Sequence, residues 1–371
     1  MTTSEHRRDI SIADPDITAE EKERVHSVLD AGRLADGEEV REFEERFSDY
    51  CDVGHGVATA NGTAALHAAL EALDIGEGDR VLTTPFSFVA TANAVRHCGA
   101  EVVFADIDPR TYNLDPDAAR TTIEAWDGAV DAILVVHLYG LPADVEAFQA
   151  LAEEYDAALI EDCAQAHGAT VNDRPVGSFG DAAAFSFYPT KNMTTGEGGM
   201  VVTDDEAVAD RAASFVNHGR AVDDGSQYER LGHNFRMTNL AAAIGLGQLD
   251  RLPEYTAARR VNGRVLSHRL SDAGLVVPTI PEGRRHVFHQ YTIRCRNRER
   301  IRDRLDEFGI DTGVYYPTPI HKLPPYDDVT ATLPEAERAA EEVLSLPVHP
   351  NLSAEDIRTV ATAVEYVVND E

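Results

Sequence analysis

Through the first two thirds of this chain, short apolar runs alternate with helical stretches, and that alternation constrains the fold more than any other feature. Residues 132–136 and 157–162 are short, apolar and rich in aliphatic side chains, the pattern of strands buried on both faces, and a helical pattern at 145–155 lies between them. Upstream, 80–84 and 102–106 read as strands and 89–97 as a helix, while 56–60 is a short apolar run leading through Asn61-Gly62-Thr63 into a helix at 64–73. Strand–helix–strand units of this kind imply a mainly parallel sheet covered by helices. Two helices precede them, at 17–31 with Thr18 as cap and at 39–50.

Two more helices are expected at 204–217 and 239–258, the second running long and closing the large domain. Beyond it the pattern changes to a strand at 287–295, a helix at 301–308, a Pro-rich loop at 315–326, and helices at 334–344 and 354–368. A chain of 371 residues exceeds what one core usually holds. The expected division is a large α/β domain at 1–250, including the N-terminal helical segment, and a smaller α+β domain at 251–371.

Charge narrows the partners. Asp and Glu number 65 against 33 Lys and Arg, a formal net charge of -32. Self-repulsion on that scale opposes compaction in dilute buffer and is screened at high salt. The only lysines are Lys22, Lys191 and Lys322. An acidic, lysine-poor chain suits a salt-loaded cytoplasm, so a halophilic source is expected. No basic patch exists to neutralise phosphates, which argues against nucleic acid or an anionic membrane as partner. No apolar stretch approaches the length of a membrane span, and residues 1–9 are polar with no apolar signal region, so a cytoplasmic location is expected. Cys51, Cys98, Cys163 and Cys295 form no C-x-x-C pair; neither a structural zinc site nor a disulfide framework is suggested, and no metal is expected.

Four segments at strand ends could carry chemistry, because ligands of α/β sheets sit beyond the carboxyl ends of strands. Asn61-Gly62-Thr63-Ala64 opens a helix, where free N–H groups and the Thr63 hydroxyl suit a phosphate, though an ordinary helix cap looks the same. In Ile160-Glu161-Asp162-Cys163-Ala164-Gln165, a carboxylate could pair with a protonated ring nitrogen, or simply end a strand. Lys191 lies between the aromatic run Phe185-Ser186-Phe187-Tyr188 and the glycines of Gly196-Glu197-Gly198-Gly199. A surface lysine could become arginine, as nearly all others have; a Schiff-base lysine cannot, because a guanidinium stays protonated and is no nucleophile. Chance survival is the alternative, and Lys22 and Lys322 show that survivors exist. In Pro85-Phe86-Ser87-Phe88 an aromatic ring could stack on a planar cofactor or be plain core.

Taken in order, these segments resemble the DegT/DnrJ/EryC1/StrS family of sugar aminotransferases over about 17–368. The resemblance is carried by Gly32-Arg33-Leu34 with Gly37, Asn61-Gly62-Thr63-Ala64-Ala65-Leu66, the run Thr84-Pro85-Phe86-Ser87-Phe88-Val89-Ala90-Thr91, and Val136-His137-Leu138-Tyr139-Gly140. It continues in Glu161-Asp162-Cys163-Ala164-Gln165-Ala166-His167-Gly168, the stretch from Lys191 to Gly199, Gly232-His233-Asn234-Phe235-Arg236-Met237, and Tyr316-Pro317-Thr318-Pro319-Ile320-His321. Cys163 stands where the family usually has alanine, one small residue for another.

The resemblance implies a fold-type I enzyme dependent on pyridoxal 5'-phosphate (PLP), working as a homodimer with shared active sites. Lys191 would hold the cofactor as a Schiff base and serve as general base and acid, and Asp162 would pair with the pyridinium nitrogen. Gln165 and Phe88 would flank the ring, and Gly62, Thr63 and Ser186, with Ala64 beside them, would hold the phosphate. Asn234 would reach that phosphate from the neighbouring subunit, and His321 and Tyr316 would lie near the substrate. The implied reaction moves an amino group from glutamate to a nucleotide-linked keto-sugar. Dehydration of a sugar, amination of a cyclitol and a non-catalytic regulatory or binding role are the alternatives; relatives with His at the Lys191 position dehydrate, and this chain keeps the lysine. His137, His167, His218 and His233 fit packing or hydrogen bonding better than catalysis.

Overall fold

The structure is a computed structural model and describes residues 9–222 and 226–370. The polar segment read at 1–9 therefore lies, but for its last residue, outside the described residues. In chain order the elements begin with α1 (Ala19–Ala31), α2 (Glu38–Tyr50), β1 (His55–Thr59), α3 (Gly62–Ala72), β2 (Arg80–Thr83), α4 (Ala90–His97) and β3 (Glu101–Phe104). There follow α5 (Pro116–Ala125), β4 (Ala132–Val136), α6 (Val145–Tyr155), β5 (Ala158–Asp162), β6 (Thr170–Val171), β7 (Arg174–Pro175), β8 (Ala182–Ser186), β9 (Gly199–Thr203) and α7 (Glu206–Val216). The chain ends with α8 (Asn239–Asp272), β10 (Arg284–Arg285), β11 (Tyr291–Arg294), α9 (Arg298–Glu307), α10 (Pro334–Glu342), β12 (Val343–Leu346) and α11 (Ala354–Asn369).

Seven strands form the central sheet, in the order β1-β9-β8-β5-β4-β2-β3. From β3 to β8 every neighbour is parallel, and β9 and β1 close the other edge antiparallel. The mainly parallel α/β architecture expected from the alternation is the one observed. Pleating sends alternate side chains to opposite faces. Val81, Leu134 and Ile160 pack on one face beneath Leu66 and Leu70 of α3, Val95 of α4 and Phe215 of α7. Leu82, Ile133, Val135 and Leu159 meet Ile123 of α5 and Phe148 and Leu151 of α6 on the other. Phe185, Met200 and Val202 pack against Phe43 and Phe47 of α2 and Leu246 and Leu249 of α8.

Helix α8 has 34 residues, which at helical rise is about 51 Å of continuous rod. It passes through Pro253 and position 250 without a break, extending well past the end expected at 258. Its first half packs on the sheet, and Leu266 and Leu270 join a separate core with Tyr291, Ile293, Ile301, Leu305, Val360 and Val364.

Further elements differ from the sequence reading. The helix expected to run to 344 ends at Glu342, because Val343–Leu346 pairs antiparallel with Tyr291–Arg294. Strands β8 and β9 and helix α5 were not anticipated; β8 reads Ala-Ala-Ala-Phe-Ser, which lacks the β-branched signature of a strand.

Candidate active site

The register of the sheet places Asp162 at the carboxyl end of β5, opposite Val136 of β4 and Ala184 of β8. The residue is buried, yet its carboxylate is anchored: Thr91 Oγ1 donates to Oδ2 at 2.9 Å and the Ala164 N–H donates to Oδ1 at 3.1 Å. Burial pushes the carboxyl above its ordinary range, against the opposing pull of those two hydrogen bonds and of the Lys191 charge.

Lys191 lies in the connection from β8 to β9, which a set of short bonds holds in place. The Phe187 N–H donates to Gly198 O at 2.8 Å, Thr194 Oγ1 to Phe187 O at 2.8 Å, and the Lys191 N–H to Tyr188 O at 2.9 Å. Gly196 takes a φ of 84°, a left-handed turn that a side chain would strain. Burial pulls the Lys191 ammonium down to about 8, with Asp162 opposing. An acid pushed up and an amine pulled down, each acting on the other, is a pair suited to proton handling near neutrality.

A cradle for an anion adjoins this pair. Helix geometry leaves the N–H groups of Gly62 and Thr63 without intrahelical partners at the start of α3. A Cβ on Gly62 would stand 2.6 Å from the Ser186 Cβ, so glycine is what lets the helix start close against the end of β8. Ala64 differs from its neighbours, since its N–H already donates to Asn61 Oδ1 at 2.9 Å. That leaves Gly62, Thr63 and the Ser186 hydroxyl as the donors.

Gln165 is buried and fixed at both ends of its amide. Its Oε1 accepts from the Tyr139 N–H at 2.7 Å, and its Nε2 donates to the Tyr316 hydroxyl at 3.1 Å. Tyr316 is thereby joined to the site, and its ring lies 6.2 Å from that of Phe88. Phe88 is 56% exposed, so it is not core; its ring is free to cover a ligand. Asn234 is exposed and bridges to Asn217, next to Phe235, whose carbonyl accepts from the Ala60 N–H at 2.6 Å.

His321 lies farther along the chain, against α10. Its Nε2 faces Glu337 Oε1 of α10 at 3.2 Å and its ring lies 6.4 Å from Phe104, and no described contact links it to Asp162 or Lys191. His137 is a hydrogen-bonding histidine: Nδ1 accepts from the Ala143 N–H at 3.0 Å, which leaves Nε2 protonated and donating to Glu161 Oε2 at 2.9 Å. Glu161 also takes the N–H groups of Gly177, Phe179 and Gly180, so it locks the end of β5 and leaves the chemistry to Asp162. His167 packs among Phe47, Phe185 and Phe187. Thr91 is a site residue whose role the sequence alone does not announce. Its spacing of four from Ser87, whose Oγ lies 2.9 Å from the Thr91 hydroxyl, is the sequence signal that could have marked it.

Residues 15–365 match the DegT/DnrJ/EryC1/StrS aminotransferase family. The chain belongs to that family. It is 39% identical over 344 residues to a pleiotropic regulatory protein of Geobacillus stearothermophilus, covering 91% of each chain. At the same identity, over 346 residues and covering 92% of this chain and 91% of the relative, it matches the UDP-N-acetyl-3-dehydro-alpha-D-glucosamine 3-aminotransferase of Acidithiobacillus ferrooxidans. Its fold matches the solved structure of DesV from S. venezuelae with a TM-score of 0.90 at 34% identity, covering 96% of this chain and 99% of that one. The architecture is that of fold-type I PLP-dependent aminotransferases, and this protein is a PLP-dependent aminotransferase. Among the described residues no helix is long and apolar enough to cross a membrane.

The residues present fit the cofactor. A buried carboxylate, a half-buried amine of lowered affinity for protons, and a glycine-tight helix start facing a serine hydroxyl match its ring nitrogen, its aldehyde and its phosphate in turn.

Proposed function

We infer that this aminotransferase takes the amino group of glutamate and delivers it to a keto-sugar carried on a nucleotide. The observation that carries the catalytic part is the Asp162–Lys191 pair, a buried carboxylate and a half-buried amine beyond the ends of β5 and β8 with their proton affinities displaced in opposite directions. When bound, PLP supplies an electron sink for the carbon–hydrogen bond broken next to the amino group. Asp162 would hold the ring nitrogen protonated, and Gly62, Thr63 and Ser186 would hold the phosphate. Phe88 and Gln165 would bracket the ring. The Lys191 amine, neutral more readily than an ordinary lysine, would hold the cofactor and then take and return the proton. Tyr316 would border the acceptor; His321, held by Glu337, would border it only from farther out.

The keto-sugar reading is supported by the Acidithiobacillus relative, whose name states a nucleotide-linked dehydro-sugar. The Geobacillus relative is named for regulation, which favours a non-catalytic role as second reading. Against that role stands a complete set of Lys191, Asp162 and Ser186. A homodimer is part of the proposal: Asn234, exposed in the single chain, would meet the cradle of the other subunit, and Leu231, 96% exposed beside it, would be covered. The acid excess supports a salt-loaded cytoplasm as its setting, and the separate core that Leu266 and Leu270 form with Tyr291, Leu305 and Val364 supports a smaller C-terminal domain carried on the end of α8.

The test is a screen of nucleotide-linked keto-sugars and of keto-cyclitols with glutamate as donor, following the keto acid formed, in low and in molar salt. Keto acid with a nucleotide-linked acceptor, abolished in Lys191→Ala, is the expected result. Turnover with cyclitols alone would remove the sugar assignment, and PLP-loaded protein that turns over with no acceptor would leave the regulatory reading in its place.

A further inference from the structure

Away from the Lys191 pocket, the packing of α3 on α4 assembles a second group of donor side chains. His67 and Glu71 stand one turn apart on α3, with His67 Nε2 3.5 Å from Glu71 Oε1. Cys98, the residue that ends α4, brings its sulfur to them, and the three ligand atoms all lie within 4.8 Å of one another. His233 adds a third element: its ring lies 5.6 Å from that of His67 and is stacked on Phe235 at 4.6 Å. His97 lies on the other side, 5.9 Å from His67 ring to ring.

We propose that His67, Glu71 and Cys98 form a binding site for one divalent transition-metal ion of the zinc class, with the fourth position open to His233 or water. Zinc bonds of about 2.0–2.3 Å to nitrogen, oxygen and sulfur put tetrahedral ligands roughly 3.3–3.8 Å apart. The His67–Glu71 separation already has that value, and the Cys98 sulfur lies within 4.8 Å of both ligand atoms. The donor set is one imidazole, one carboxylate and one thiolate, which is softer than calcium or magnesium sites use and matches zinc or cobalt. Spacing in the sequence hides it, because the ligands come from two helices and not from a C-x-x-C turn.

A contrast within the same molecule sharpens the assignment. His137, Glu161 and Cys163 also stand close together, but there Glu161 accepts from His137 and from three backbone N–H groups, so its lone pairs are spent. Among the described residues the Glu71 carboxylate receives no backbone N–H bond, and its one close side-chain partner is His67. Arg230 bears on Glu71 only through its charge. The ion would join α3, whose first residues form the phosphate cradle, to α4, whose first turn carries Thr91, and to the segment bearing Asn234. Its effect is therefore to brace the elements that hold the cofactor. Binding would displace the thiol proton of Cys98.

The experiment uses the full-length, PLP-loaded enzyme freed of metal with a chelator. Zinc is titrated in competition with a chromophoric chelator, and cobalt is titrated separately. One zinc per chain is expected, with at least about tenfold weaker binding in His67→Gln and in Cys98→Ser. Cobalt should give a thiolate charge-transfer band in the near ultraviolet that Cys98→Ser lacks. Because either variant could disturb the helix packing, the unmodified protein is also alkylated with and without zinc, and Cys98 is followed by mass spectrometry. Cys98 is the one free cysteine of the four that is not fully buried, and zinc should slow its alkylation. The proposal is overturned by an absence of saturable zinc binding, by a cobalt band that survives Cys98→Ser, or by an alkylation rate that zinc leaves unchanged.

Discussion

Thr91 Oγ1 donates to Asp162 Oδ2 at 2.9 Å, which ties the first turn of α4 to the end of β5 at the one buried carboxylate the reaction needs. The bond orients the acid and, by favouring its charged form, offsets part of the cost of burying it. In Thr91→Val the carboxylate keeps its burial and loses a hydrogen-bond donor, a change worth about 1–3 kcal/mol. Its proton affinity should rise, so it should hold the pyridinium nitrogen less firmly. We expect kcat to fall about tenfold or more with the fold unchanged, and Thr91→Ser to restore most of it. Steady-state kinetics beside circular dichroism of the three proteins checks this.

Lys191 sets the pH dependence of cofactor capture. The nucleophile is the neutral amine, and with its ammonium pulled down to about 8 roughly one molecule in ten is ready at pH 7, against about one in a few thousand for an ordinary lysine. The second-order rate of PLP capture by cofactor-free enzyme should therefore climb about tenfold per pH unit below 8 and level off above it. Stopped-flow absorbance resolves the rise. A plateau that begins only near pH 10 would mean that the amine is fully solvated and its ammonium not pulled down by desolvation.

Gly62 is a steric requirement. A Cβ there meets the Ser186 Cβ at 2.6 Å, so Gly62→Ala must push the start of α3 away from the end of β8. Overpacking of this kind costs about 1–3 kcal/mol, and here it also opens the phosphate cradle. We expect PLP to dissociate at least about tenfold more readily, with a smaller change in the rate of bound enzyme. Equilibrium dialysis of PLP against single-turnover kinetics separates the two.

Much of this arrangement was legible in the chain. Strands such as Ala132–Val136 and helices such as Val145–Tyr155 carry their period openly, because apolar side chains must face the layers on either side. β8 did not, since alanines are as much at home in a helix; what makes it a strand is its place between β5 and β9. Val343 and Leu344 looked like the last turn of a helix and became strand because β11 offers them a partner. Within the site, Lys191 and Asp162 stood out by chemistry, whereas Thr91 acts through one hydroxyl and Tyr139 through a backbone N–H, which no side-chain pattern announces. His321 stood out by its motif, and its partner did not. A motif places it beside the site in sequence, and Glu337, from a helix sixteen residues on, takes its imidazole.

Asp162 should trade stability for function. Its folded-state affinity for protons is raised by burial, so the folded chain binds the proton more tightly than the unfolded one. The sign follows from linkage: the group favours folding most fully below its unfolded value near 4, and that contribution is lost as pH rises through the raised folded value. At pH 7.5 the cofactor-free enzyme thus carries a buried carboxylate at a cost. Asp162→Asn keeps the shape and removes the charge, and it should raise the melting temperature of the cofactor-free protein at pH 7.5 while changing it little below the unfolded value. The same substitution removes the partner of the ring nitrogen, so turnover should fall by two orders of magnitude or more, about 3 kcal/mol in the barrier. Thermal melts of both proteins across pH 4 to 8, with and without PLP, decide it: the stabilisation must be present without cofactor and shrink or reverse with it. A variant that is less stable than the parent at pH 7.5 without PLP would show that Asp162 is fully compensated by Thr91, Ala164 and Lys191 before the cofactor arrives.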